Sequence, residues 1–470
     1  MITRVELSGF RNFIAFHIDL GPFVVIAGPN AGGKSNFFDS LQLLAALAED
    51  DLATAFSKVR GEPLEQFTAS DPNHRLNHME LAIEAIVPRD IKDQWGDSAS
   101  LSETHLRYEL KLVVGTVHDR PRIRIAHELL RGLRRVESEN RLRFHPTSRF
   151  LKRFVARGSR QQPYIDTEGA RLVLHQDGRQ GRKREYRAED SVSTVLSAAN
   201  TVTFRHAFAL RQELSRIRFL QLEPERLRAP SKIAPFETGA AARLDSFGGN
   251  LPAVLARLAS FDPAYLGAVA RDLRAVVRDL KSVDIWEDKV QKQLVARATF
   301  DHGGPFPASL LSDGTLRLMA LAALKHDPEH QGVLCFEEPE NGIHPQRMTG
   351  LLGILEGLTT DATGDERGRD VDEPLRQLLV NTHSPALVSA VDRRDLLFAV
   401  TYRHFEPELK AALLASRFLP VLDELPLRQK GEIPSSITRT EVVRYLASVD
   451  IARWQDERTD DGDTTRHAPL

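Results

Sequence analysis

Residues Phe23–Asn36 read FVVIAGPNAGGKSN. The apolar run FVVIA has the composition of a buried strand, and GPNAGGKSN satisfies G-x-x-x-x-G-K-[ST]. Glycines in such a loop let backbone N–H groups curl around phosphates. The lysine reaches the β and γ oxygens, and the hydroxyl ligates magnesium. Downstream, Ser35–Ala48 places Phe37, Leu41, Leu44, Ala45 and Ala48 at helical spacing. A strand, a glycine loop and an amphipathic helix in that order are the context the motif requires. Gly28, Pro29, Asn30, Ala31, Gly32, Gly33, Lys34, Ser35 and Asn36 are therefore the candidate ATP-binding loop, with Ser35 a candidate Mg2+ ligand.

Two later stretches end buried strands in polar residues. VLCFEEPENGIHP, Val333–Pro345, delivers Glu337 and Glu338 at the C-terminal end of an apolar run, where open α/β sheets bind ligands. Side chains alternate along a strand, so the two carboxylates have different parts: one holds the magnesium shell, the other polarises a water for attack on the γ-phosphate. LLVNTHSPALV, Leu378–Val388, repeats the geometry and places His383 beside the terminal phosphate or the attacking water. Between them in kind is LLSDGTLRLMALAAL, Leu310–Leu324, where Ser312 and Gly314 open a helix whose N-terminus suits an anion. The same residues would also make an ordinary capped helix.

Taken in order, GFRNF, GPNAGGKSN, LSDGTLR, FEEPENGIHP and NTHSP resemble the ABC-type ATPase heads of the RecF/SMC/OLD group. More narrowly the chain resembles OLD-like AAA-type ATPases without a Toprim domain or long coiled coil, and LEPERLRAPS and FGGNLPAVLARL are similar to stretches of that group. The resemblance makes Gly28–Ser35 the Walker A loop, Glu337 the Walker B metal ligand and Glu338 the catalytic carboxylate. It makes Ser312-Asp313-Gly314 the signature, Asn341-Gly342 the D-loop and His383 the switch histidine, and it lays Arg11 and Asn12 against the nucleotide. Two departures stand out: Glu337 where many relatives have aspartate, and SDGT where they have SGG. A Q-loop glutamine is left unassigned. In such heads the signature caps the γ-phosphate bound by the other subunit, so the resemblance implies a homodimer or higher homo-oligomer joined by ATP. The implied fold class is α/β, a P-loop NTPase ABC-type head with a mixed sheet core, an antiparallel β region and an inserted helical lobe.

The rest of the chain bounds the reading. Of 470 residues one is cysteine, Cys335, and the net charge is −2. The N-terminus lacks a signal-peptide core and no apolar stretch is long enough to cross a membrane, so a cytoplasmic protein is expected. Alternating runs from Glu80 to Glu185 predict an antiparallel sheet, and helices are expected at Arg205–Arg216 and at Pro252–Leu280, the latter interrupted by Phe261-Asp262-Pro263. The expected division is 1–87 with the phosphate loop, 88–203 a basic β-rich insert, 204–300 a helical lobe, 301–403 with the remaining motifs, and 404–470 an extension with an acidic tail. Between Arg120 and Arg187 there are 19 Lys/Arg against 7 Asp/Glu. With Phe144, Phe150, Phe154, Tyr164 and Tyr186 interleaved, this segment suits DNA or RNA, an acidic protein partner, or solvent. The D-x-D strings Asp370–Asp372 and Asp461–Asp463 follow no apolar strand, so a nuclease effector would be a separate protein. A transporter ATPase would bring its signature much closer to the phosphate loop, and an SMC protein needs long heptad stretches. The expectation is an ATP-hydrolysing switch in nucleic-acid repair or antiphage defence. The alternatives are an ATPase regulating a protein partner without nucleic-acid contact, or an OLD-like nuclease component.

Overall fold

The computed structural model describes residues 1–447 apart from 118, 135–141, 159, 178–181, 234–242, 364–373 and 423–435. Both D-x-D strings and the acidic tail lie outside the described residues. The motif-bearing sheet has five parallel strands, in spatial order Arg218–Leu220, Gly332–Glu337, Arg376–Thr382, Phe23–Ala27 and Leu396–Glu406. Ala411–Leu422 returns antiparallel beside the last of these, and Ile437–Thr438 adds a short parallel edge. Strands covered on both faces need apolar side chains at every position, and FVVIA is buried throughout. Alternation then divides the residues between two cores. Val24, Ile26, Cys335 and Leu379 face one, while Val25, Ala27, Leu334, Phe336 and Val380 face the other.

The first core is shared with an eight-stranded antiparallel sheet. Its spatial order is Lys183–Arg187, Arg171–His175, Ile165–Glu168, Arg120–Gly132, His105–Val117, His78–Ile86, Ile2–Ser8 and Phe16–Asp19. Phe37, Leu41 and Leu44 of the helix Lys34–Leu47 are buried in the same core. The alternating runs thus form the predicted sheet, but its members include strands from the first twenty residues. Strands on either side of the expected 87/88 division share this sheet, and 403/404 falls inside Leu396–Glu406. Strand pairing is long-range, so composition along the chain does not mark where it stops.

The second core is covered by helices. Leu251–Phe261 and Ala264–Arg274 are separated at Asp262-Pro263, where the Asp262 carboxylate accepts the Ala264 amide at 2.8 Å. The expected helix up to Leu280 ends earlier, at Arg274. LKSVDIWED forms the strand Leu280–Asp288, which pairs with Gln293–Phe300 in a hairpin whose register shifts between Leu280 and Ser282. Asp313–Lys325 follows, with nearly every residue from Gly314 to Leu324 buried. Among the described residues no helix is long and apolar enough to cross a membrane.

One side chain ties the two large sheets together. Gln377 is fully buried on the strand Arg376–Thr382. Its Oε1 accepts the Ile2 amide at 2.8 Å, and its Nε2 donates to the carbonyls of Ile2 and Gly21, both at 2.7 Å. Gln377→Met keeps the volume and strands three buried backbone groups. At roughly 1 kcal/mol or more for each, the loss is about 3 kcal/mol. Thermal unfolding should begin several degrees lower than in the wild type. An unchanged midpoint would mean that water replaces all three bonds.

Candidate nucleotide site

The parallel order brings three strand ends together: Ala27 beside Thr382, and Asn381 beside Glu337. The phosphate loop leaves the first of them. Gly33 sits at φ 92°, and a Cβ there would strike the Ser416 side chain, so only glycine fits. Lys34 follows as the first residue of the helix and is almost wholly buried. Its Nζ donates to the carbonyls of Gly28 at 2.8 Å and Pro29 at 2.7 Å, folded back over its own loop. Burial brings its pKa down to about 8, against the pull of Glu338 and Glu337, which raise it.

His383 lies on the opposite wall. Its Nδ1 is 3.4 Å from Lys34 Nζ, and its Nε2 is 3.7 Å from Glu338 Oε1. Burial and then the Lys34 charge lower its pKa, which favours the neutral imidazole. Glu338 takes φ 50°, a conformation that non-glycine residues rarely adopt and that clusters at functional sites. Its amide donates to the Asn381 carbonyl at 2.8 Å, and its Oε2 accepts from Asn341 Nδ2 at 2.5 Å. Sequence reading placed Glu337, Glu338, Asn341 and His383 separately; the structure brings Glu338, Asn341, His383 and Lys34 into one cluster.

Arg11 and Asn12 brace the start of the helix. Arg11 donates to Asn36 Oδ1 at 2.8 Å and pairs with Asp39, while Asn12 Oδ1 accepts from Asn36 Nδ2 at 2.8 Å. Asn12 Nδ2 donates to Ser416 Oγ at 2.6 Å, and that hydroxyl donates to the Gly32 carbonyl at 3.0 Å. Ser416 had no signal in the sequence, because it belongs to a strand after the last motif. Glu340 was also missed: Thr382 Oγ1 donates to its carboxylate, and burial raises its pKa. Its place directly after FEEP was the available clue.

The donors fit magnesium bound with nucleotide. Among the described residues there is no cluster of three or more His, Cys, Asp or Glu that could hold a metal ion. Mg2+ does not need one, because it takes one or two protein oxygens and fills its octahedron with phosphate oxygens and water. Ser35 and Glu337 provide that number. Opposite Glu337, Asn381 Oδ1 is buried with no hydrogen-bond partner, an acceptor available to such a shell.

The signature segment stands apart from this cluster. Ser312 Oγ accepts the Thr315 amide at 3.3 Å and so caps the helix, and Asp313 pairs with Arg228. None of these bonds reaches the phosphate loop. Gly314 instead packs on the loop after Glu338: a Cβ added there would lie 2.6 Å from the Gly342 carbonyl oxygen.

In the basic insert the interleaved aromatics are packed inward. Phe150, Leu142 and Val155 are buried with Met1 and Ile86, Phe144 and Phe154 pack against them, Tyr164 is buried, and Tyr186 packs on the first core. These aromatics are core residues and offer no stacking platform for bases. Lys183 and Arg171 pair with Glu185, whereas Arg182, Arg184 and Arg187 are exposed.

A 71-residue stretch is 34% identical to the DNA replication and repair protein RecF of Acaryochloris marina (strain MBIC 11017), covering 15% of this chain and 19% of that protein. The chain thus matches about a fifth of that relative's length. Two solved heads are similar in shape. The SmcHead bound to the C-winged helix domain of ScpA has TM-score 0.46 at 13% identity, over 88% of this chain and 97% of that one. An Smc head with an extended coiled coil, bound to the C-terminal domain of ScpA derived from Pyrococcus furiosus, has TM-score 0.45 at 12% identity, over 89% and 95%. A family profile matches residues 23–389. The chain belongs to the family described as "AAA domain, putative AbiEii toxin, Type IV TA system".

Proposed function

We propose that this protein binds ATP at Gly28–Asn36, hydrolyses it, and closes on a second copy of itself around the nucleotide. The observation that carries the reading is the meeting of Lys34, His383 and Glu338 at adjacent strand ends, 3.4 and 3.7 Å apart. Lys34 leaves the Gly28 and Pro29 carbonyls for the β and γ oxygens, and the phosphate charge favours its protonated form. Ser35 and Glu337 would hold Mg2+, which neutralises charge on the phosphate oxygens when bound. Glu338, steadied by Asn341, orients the attacking water, and neutral His383 contacts the γ-phosphate edge.

Glu338→Gln removes the charge that orients water and leaves the ATP contacts in place. Turnover should fall by about a hundredfold or more while nucleotide affinity is kept. Hydrolysis within about threefold of wild type would move the role to Glu337.

The dimer reading rests on Ser312 and Asp313 bonding to Thr315 and Arg228, with none of these bonds reaching their own phosphate loop. Lys34→Ala and Ser312→Arg should each be nearly inactive alone. Mixed, the two variants form dimers with one intact composite site, and about a quarter of wild-type activity should return if sites act independently. Mixed dimers that form and bind ATP at one site, with Ser312 cross-linking only to nucleotide in its own chain, would sink the arrangement.

The name of the RecF relative supports DNA as a partner, and the exposed Arg182 and Arg184 are the charges to test. Affinity for duplex DNA should fall steeply with salt. Reversing both charges should flatten the logarithmic slope by about 0.9 for each phosphate that is no longer neutralised. A titration without binding at low salt, with ATP present, would remove DNA as a direct ligand.

A further inference from the structure

The signature of this chain carries an electrostatic problem. A helix N-terminus suits an anion, yet Asp313 places a carboxylate in the first turn, 52% exposed and next to Ser312 and Gly314. Facing a polyphosphate, that carboxylate would repel the ligand the loop is proposed to cap.

The structure supplies a counter-charge from elsewhere in the chain. Arg228 Nη2 pairs with Asp313 Oδ1 and donates to the Leu311 carbonyl at 3.1 Å, so one guanidinium edge grips both sides of Ser312. Its Nε and Nη1 have no hydrogen-bond partner among the described residues, and the side chain is 30% exposed. Arg228 is held in place by Leu227, the last residue of the short helix Pro224–Leu227, which is buried in the second core. Gly248, at φ 82°, lets the following segment approach closely: a Cβ there would collide with Leu227 and come within 3.3 Å of Leu222. LEPERLRAPS and FGGN, to which the sequence analysis gave no chemical role, thus form the mount for one arginine.

We propose that Arg228 is a positioning residue of the signature. Its guanidinium offsets the Asp313 carboxylate, so the loop accepts the terminal phosphate of a nucleoside triphosphate held by a second copy of the chain. This assignment rests on the ATP-bridged dimer and concerns the capping step, not the first binding of nucleotide by the phosphate loop. Arg228 should therefore matter for dimer formation and little for monomer affinity. A merely structural arginine would not show that split.

The test uses the full chain with a non-hydrolysable ATP analogue and Mg2+, reading dimerisation by light scattering and monomer affinity by fluorescence. Arg228→Met should weaken analogue-driven dimerisation by about tenfold or more and leave monomer affinity within about twofold. Asp313→Asn in the same chain removes the unpaired charge, and dimerisation should return to within about threefold of wild type. Should Arg228→Met melt early, Arg228→Lys keeps the charge, and its dimerisation should exceed that of Arg228→Met. Wild-type dimers with an unaffected Arg228→Met variant would overturn the assignment alone. So would a loss that Asp313→Asn fails to repair. A wild-type protein that stays monomeric with the analogue would overturn the dimer reading, and this assignment with it.

Discussion

The site depends on one pairing: Phe23–Ala27, from the start of the chain, lies between Arg376–Thr382 and Leu396–Glu406, from near its end. Without that insertion the phosphate loop and His383 would belong to separate pieces. The closure is entropically costly because it joins distant segments, so it needs strong local support. Apolar burial on both faces of FVVIA is one part of that support. Gln377 is another, because a buried amide that satisfies three backbone groups accepts one register and rejects a slip by a residue. The sheet order then puts the polar strand ends on one edge, where ligands sit in open α/β sheets.

From that edge, contacts lead to the signature helix. Gly314 packs on the Gly342 carbonyl, and Asn341, one residue earlier, holds Glu338. Arg317, one turn into the same helix, lies in the field of Asp313, Glu338 and Glu340. The segment proposed to meet a partner's nucleotide therefore packs on the loop that follows Glu338, and one of its arginines lies in the field of that carboxylate. In the proposed dimer, a shift at one signature would move Asn341 and so the Glu338 side chain. Glycine at position 314 is required by this close approach as much as by any phosphate.

Much of this was legible in the sequence, and the division between legible and hidden has a physical cause. The phosphate loop, the Glu337–Glu338 pair and His383 are local signals: an apolar strand followed by polar residues at its end. Ser416 and Arg228 are not local. Ser416 bonds Asn12 across 404 positions and Arg228 pairs with Asp313 across 85, and LEPERLRAPS, though it carries part of the resemblance, does not single out that arginine. The aromatic residues of the basic insert failed for a different reason. Arginine beside phenylalanine suits a nucleic-acid surface, but also a thin layer where aromatics fill the core and arginines cover it. Arg153 over Phe154 at 4.9 Å and Arg160 over Tyr164 at 4.6 Å belong to the second kind. The hairpin Leu280–Phe300 lies in a stretch expected to be a helical lobe, because the apolar spacing before it is helical up to Arg274.

The charges of the site are arranged so that its groups satisfy one another until phosphate arrives. Lys34 is bound to loop carbonyls and near His383, Glu338 is held by Asn341, and Glu340 takes a hydroxyl from Thr382. A buried lysine left unpaired would be costly, and burial has already brought its pKa down to about 8. Polyphosphate would offer it a stronger partner than two carbonyls, so nucleotide entry would release the loop from its internal bonds and favour the charged lysine. The carboxylates act in the opposite sense: they raise the lysine pKa, yet they also repel the incoming phosphate. A metal held by Ser35 and Glu337 would remove that conflict. It would leave Glu338, in its left-handed backbone conformation, as the carboxylate free to face water.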